Sequence, residues 1–174
     1  DRARTRPDPI VVNCHYQLIN DNVLDVTHLA YVHATSIGSG AITEFPVTCE
    51  REGRVVRMKR WIIDRPAPPL YQKAGGFAGN VDRWQICEIE APSHAISHVG
   101  FAPLGQLGPD DDLDRGIALK ALVSATPETA TTAHMFYAQV RNFAVDDEDM
   151  TRHFVVDGRA IFLEDIAVME AQHR

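Results

Sequence analysis

Two histidines five residues apart, in Asp25-Val-Thr-His28-Leu-Ala-Tyr-Val-His33, constrain this chain more than any other stretch. On a straight α-helix an i, i+5 offset is about 500°, so the two rings would point roughly 140° apart. An i, i+4 pair would share one face. Both imidazoles can reach one metal ion only if the helix ends or distorts between them. Asp25 lies three residues before His28 and shares its face. A lone helical histidine is more often a hydrogen-bonded filler than a ligand. The pair with an attendant carboxylate brings a mononuclear metal site level with that plainer account.

Two imidazoles and one carboxylate, with open positions, form the ligand set of non-haem Fe(II) oxygenases. A distant carboxylate is available in Ile161-Phe-Leu-Glu-Asp165-Ile-Ala-Val-Met-Glu170. Asp165 falls four residues after Ile161 and three before Val168, on the inward stripe expected of a helix. A carboxylate there is costly unless paired or metal-bound. Glu164 is its rival, and an exposed acidic pair is the plainer account of both.

Around the motif the chain alternates like a sheet. Short strands are expected at residues 10–16, Val47–Glu52, Val55–Ile63, Val81–Glu90, His94–Ala102, Ile117–Ala125 and Thr132–Phe143. Gln17–His33 reads as a loosely periodic helix, stopped by the breakers in Ser36–Gly40. Arg51–Arg54 reads as a hairpin turn, Pro66–Pro69 as a hard stop, Ala74–Gly79 as a flexible loop and residues 103–116 as a polar loop. Asp146-Asp-Glu-Asp149 loads the start of a long final helix, expected to run to about His173. The result is an α+β domain with a cavity between sheet and helix. Ser97, Val99, Val123 and Tyr137 could line it, although alternation cannot say which face points inward. Arg83, Lys120 and Arg141 could bind a carboxylate, and surface charge is the plainer account of each. The sequence assigns no substrate-binding residue.

The 174 residues suit one domain, and the formal net charge of −7 argues against nucleic acid as a partner. No apolar run is long enough to span a membrane. Cys14, Cys49 and Cys87 form no Cys-x-x-Cys pair. An odd, sparse set fits free, buried thiols in a reducing cytoplasm. Residues 1–9 read as a basic, proline-containing arm without an initiator methionine, as in a fragment or a processed product.

Several stretches resemble the catalytic domain of the Rieske-type non-haem iron oxygenases, and more closely the vanillate O-demethylase oxygenase group. They are Asp21–Gly38, Val81–Cys87 with Pro92-Ser-His94, Arg141-Asn-Phe143 and Ile161–Asp165. The resemblance implies a helix-grip fold (Bet v 1-like/START-like), a curved antiparallel sheet around a long C-terminal helix. It implies that His28, His33 and Asp165 bind the catalytic Fe(II). Asn22 would lie close to the iron. Asp25 would hydrogen-bond a ligand histidine and carry electrons from the Rieske [2Fe-2S] cluster of a neighbouring subunit in a head-to-tail homotrimer. NADH would act through a separate ferredoxin-type or flavin/iron–sulfur reductase. The expected reaction is O2-dependent O-demethylation of a vanillate-like aromatic acid, giving a phenol and formaldehyde.

One departure stands out. A Rieske cluster needs Cys-x-His and Cys-x-x-His, and these residues contain neither. Residues 1–9 are therefore expected to be a linker from an N-terminal Rieske domain outside this sequence, with residues 10–174 as the iron domain. Ring hydroxylation or N-demethylation of another aromatic compound would keep every ligand. A non-catalytic helix-grip domain for an apolar ligand is the alternative from another class, and a zinc hydrolase is a third.

Overall fold

The computed structural model describes residues 2–5, 7–38, 40–77 and 79–174. Its centre is an antiparallel sheet of β1 (Ala3–Arg4), β2 (Ile10–Val12), β3 (Val47–Glu52), β4 (Val55–Pro66), β5 (Asn80–Glu90), β6 (His94–Pro103), β7 (Ile117–Pro127) and β8 (Ala133–Arg141). Strands β3 to β8 follow one another as a meander, and β1 and β2 both pair with the outer edge of β8. Among the described residues three α-helices complete the domain: α1 (Tyr16–Leu24), α2 (Pro69–Gly75) and α3 (Glu148–His173). This is the expected α+β helix-grip architecture, with the sheet curved around α3. None of the described helices is long and apolar enough to cross a membrane.

Local chemistry sets the boundaries. Gly53, at φ +57°, makes the β3–β4 turn in a conformation that favours glycine. Pro69 opens α2 where a missing N–H costs nothing. Asp147 caps α3 by accepting from the Met150 amide at 2.8 Å. The helix then runs 26 residues, about 39 Å.

Several sequence expectations change. The first strand stops at Val12, because His15 caps a helix that begins at Tyr16. The segment read as an arm is stitched to the sheet: Ala3 and Arg4 lie opposite Arg141 and Val140, and Gln139 N donates to Thr5 Oγ1 at 3.0 Å. Asp1 and Arg6 of that segment lie outside the described residues, as do Ser39 of the breaker run and Ala78 of the glycine-rich loop. Ala74 and Gly75 belong to α2 rather than to a loop. The 103–116 stretch folds back on the convex face: Leu107 is buried, and Asp112 caps a 3-10 turn over Leu113–Arg115. Val168 is exposed, so the inward stripe of α3 runs through Phe154, Gly158, Asp165 and Met169. All three cysteines are free, but Cys49 is exposed, not buried.

Two apolar clusters hold α3 on the concave face. One joins Val12, Ile19, Met135 and Met169; the other joins Tyr71, Phe101, Leu119 and Phe154. Between them α3 comes close to β8 at Gly158, where a Cβ would lie 2.7 Å from Gln139 Nε2. The cavity sits in this gap.

Candidate metal centre

Helix α1 ends at Leu24, before His28, so the break that the i, i+5 spacing demands comes earlier than between the histidines. Asp25 ends the helix, with its amide still bonded to Asp21 O at 2.9 Å. Its carboxylate then accepts from the Thr27 amide at 2.8 Å and from the Thr27 hydroxyl. This side-chain turn stops helix propagation. His28–Ala30 form a 3-10 turn, and His33 follows in a tight loop closed by Gly38 N donating to His33 O at 2.8 Å. A Cβ on Gly38 would lie 1.9 Å from the Leu29 carbonyl oxygen, so the loop needs glycine there. The two rings end with centroids 5.1 Å apart and their planes at 70°.

Helix α3 supplies the carboxylates. His28 Nε2 and His33 Nε2 lie 3.2 and 2.8 Å from the same oxygen of Asp165. One ligand atom from each residue fits within 4.8 Å of the others. Ligands at right angles, with metal–nitrogen bonds of about 2.1 Å, stand about 3 Å apart. The other ring nitrogens are occupied. His28 Nδ1 contacts the Asp25 carbonyl, and His33 Nδ1 bonds Glu164 Oε2 at 2.7 Å. Both Nε2 atoms are thus oriented toward Asp165, the outer arrangement typical of metal-ligating histidines. Asn22 Nδ2 donates to Asp165 at 3.2 Å. The donor set fits a divalent transition metal.

Burial and the charges within the cluster act against each other. Burial pulls the His33 pKa down, but hydrogen bonds and charge from Asp165 and Glu164 leave it raised. Burial pulls the Asp165 pKa up, yet hydrogen bonds to His28 and His33 leave it lowered.

The sequence candidates therefore divide. His28, His33, Asp165 and Asn22 converge. Glu164, the rival ligand, instead orients His33 from outside. Asp25 is exposed and meets His28 through its main-chain carbonyl, not through the carboxylate that the family resemblance implied.

A cavity of about 110 Å³ lies against this cluster, lined by Ser97, Val99 and Val123 as expected, and also by Leu119, Ile161 and Phe162. That is the scale of the roughly 150 Å³ cavity that admits a benzene ring. Tyr137 packs on Phe162, ring centroids 4.6 Å apart. Surface charge explains only Lys120, which stands on the convex side 3.8 Å from Asp114. Arg141 is buried and ties the β8–α3 connection together through Phe143 O, Ala144 O and Asp147 O. Arg83 is buried and lines the cavity. Sequence reading missed Tyr71, Gln85 and Gln139, which also line it. Nothing in the sequence set the two glutamines apart, because β5 and β8 carry other polar residues as well.

The family described as vanillate O-demethylase oxygenase C-terminal domain matches residues 12–174. The vanillate O-demethylase oxygenase subunit of Pseudomonas sp. (strain HR199 / DSM 7063) is 37% identical over 168 residues, covering 94% of this chain and 48% of that protein. A toluene-4-sulfonate monooxygenase system iron-sulfur subunit of Comamonas testosteroni is 32% identical over 176 residues, covering 98% and 50%. The crystal structure of dicamba monooxygenase bound to dicamba superposes with a TM-score of 0.86 at 25% identity, covering 99% of this chain and 49% of that one. This chain spans about half the length of the curated relatives it matches.

Proposed function

This chain belongs to the vanillate O-demethylase oxygenase C-terminal domain family, and on that premise we propose that it is the iron-holding domain of an O2-dependent aromatic O-demethylase. The observation that carries the reading is the convergence of two oriented imidazoles and one buried carboxylate on the wall of a ring-sized cavity. Vanillate and toluene-4-sulfonate, named for two relatives, are both aromatic anions.

His28, His33 and Asp165 would hold one Fe(II), leaving positions open for other ligands. When bound, the iron supplies O2 activation and oxidation of the substrate methyl group. The overall reaction consumes O2, NADH and a proton and yields a phenol, formaldehyde, water and NAD⁺. Glu164 and the Asp25 carbonyl fix the two imidazoles, and Asn22 steadies Asp165. The apolar wall of Val99, Leu119 and Ile161 excludes water from around the ring. Asp25 stands at the surface beside His28, which supports a role as electron bridge to a Rieske cluster of a neighbouring subunit in a homotrimer. A separate reductase would deliver the electrons from NADH. The toluene-4-sulfonate relative supports a second reading, oxidation of another C–H bond on an aromatic anion. Formaldehyde release separates the two.

Anaerobic Fe(II) titration tests the site. One ion per chain is expected, and His28→Ala should weaken binding by more than the roughly 10–100-fold typical of lost outer-shell partners. If wild type and variant take up iron alike, the triad is not a metal site.

A further inference from the structure

Beside the metal cluster the same cavity contains a second, unsatisfied polar group. Arg83 and Gln85 stand two residues apart on the concave face of β5 and both line the cavity. They are 3% and 1% exposed. Arg83 donates one hydrogen bond from Nη2 to Ile37 O at 3.1 Å, and its guanidinium lies 5.4 Å over the Phe101 ring. Its Nε has no partner among the described residues, nor has either end of the Gln85 amide.

These contacts do not neutralise the charge. No carboxylate among the described residues pairs with Arg83. Burial, with Arg60 nearby, brings the Arg83 pKa down to about 10, so it stays charged at neutral pH. A buried, unpaired cation is strongly unfavourable, and buried amides are normally hydrogen-bonded. The carbonyl and the ring hold the guanidinium plane in place while leaving donors open. A planar fork of donors matches the two oxygens of a carboxylate or the face of a sulfonate. The neighbouring amide adds one more donor.

We propose that Arg83, assisted by Gln85, anchors the anionic group of the substrate, so that the site selects aromatic anions over their neutral counterparts. This rests on the aromatic-oxygenase reading above and names what that reading leaves open, the residue that sets substrate charge. The anion pairs with the buried guanidinium, and the ring then lies along the apolar wall that also reaches His28 and Asp165. Arg83 is a binding and specificity residue in this account, not a group that takes part in the chemistry.

Calorimetric titration of the intact oxygenase polypeptide under anaerobic conditions tests it without turnover. The probes are 3-methoxybenzoate, 3-methoxybenzenesulfonate and neutral 3-methoxybenzamide. Wild type should bind at least one of the anions about 30-fold or more tightly than the amide, as breaking a buried charge pair implies. Arg83→Gln should lose that preference while taking up Fe(II) like wild type. Arg83→Lys, which keeps the charge but not the fork, should retain part of it. The proposal is overturned if wild type binds the amide as tightly as both anions, or if Arg83→Gln keeps the preference. Should Arg83→Gln fail to fold, the wild-type ratio and a full preference in Arg83→Lys still decide, the latter counting against the fork. Loss of Fe(II) binding in wild type would sink the oxygenase reading separately, because anion preference is read without iron.

Discussion

Strand β5 buries side chains on both of its faces, and the two faces differ in what they leave unpaired. On the convex face Asp82 accepts from the Asp64 and Gly105 amides at 3.2 and 2.7 Å. Trp84 is fully buried beside it, stacked on Trp61 with centroids 5.7 Å apart. A Cβ on Gly100 would lie 2.0 Å from the Trp84 ring, so the indole fills a slot that glycine leaves open. Its N–H has no partner among the described residues and is enclosed in this small cluster. On the concave face Arg83 Nε and the whole Gln85 amide are unpartnered and border empty space. Dense packing around isolated orphaned atoms marks a structural face. Several orphaned groups around a void mark a face awaiting a ligand.

That contrast breaks most easily at Trp84. Trp84→Ala is expected to cost about 3–5 kcal/mol, the range for truncating a buried aromatic, read by urea or thermal denaturation. Fe(II) affinity of the folded fraction should be unchanged, since no part of the cluster touches the triad. A variant of near wild-type stability would show that the convex cluster is not structural.

The opposite behaviour is expected across the strand. Arg83→Met replaces an unpaired buried charge with an apolar chain of similar length. The change removes the cost of burying a charge without a partner, and a gain of about 1 kcal/mol is expected in the same denaturation experiment, the low end of the range for exchanging buried ionic groups for apolar ones. A loss of about 2 kcal/mol would make the guanidinium a strut for Ile37 and the loop after His33, and would merge the two faces into one kind.

The two faces were also unequally legible in the sequence. The cluster of His28, His33 and Asp165 was readable because its chemistry is local: two histidines five apart demand a helix break, and Asp165 needs a reason to be buried. The position of the break was not readable, because it depends on the Asp25 carboxylate turning onto Thr27 and not on hydrophobic period. The split of β5 was hidden by burial itself. Asp82, Arg83, Trp84 and Gln85 are all buried, so polar and apolar residues do not alternate with solvent there, and no pattern says which side faces α3. Ala3–Arg4 failed for a different reason: two paired residues are too few to show a period. Leu107 was lost among glycines and aspartates, since one buried side chain does not change the composition of a loop.

The smallest effect separates the faces by pH. His98 stands on the convex side, edge-on to Trp84 at 6.0 Å, with Nε2 unpartnered. Burial lowers its pKa, as do the charges of Lys120 and Arg2, while Asp114 and Glu88 pull it up. The folded state therefore disfavours the protonated ring. Between the lowered and ordinary values the unfolded chain binds more protons, so stability rises with pH in that window. The contribution is complete above the ordinary value of about 6.5 and is lost as pH falls below it. His33, whose pKa burial lowers but Asp165 and Glu164 leave raised, acts in the opposite direction, so a bare pH curve mixes the two. Subtracting the curve of His98→Asn isolates the convex term. Urea midpoints measured from pH 8 to pH 5 should fall further for wild type than for the variant, with the difference opening only below about pH 6.5. Parallel curves would mean that the convex face holds His98 no differently from water, and that the contrast between the faces does not extend to charge.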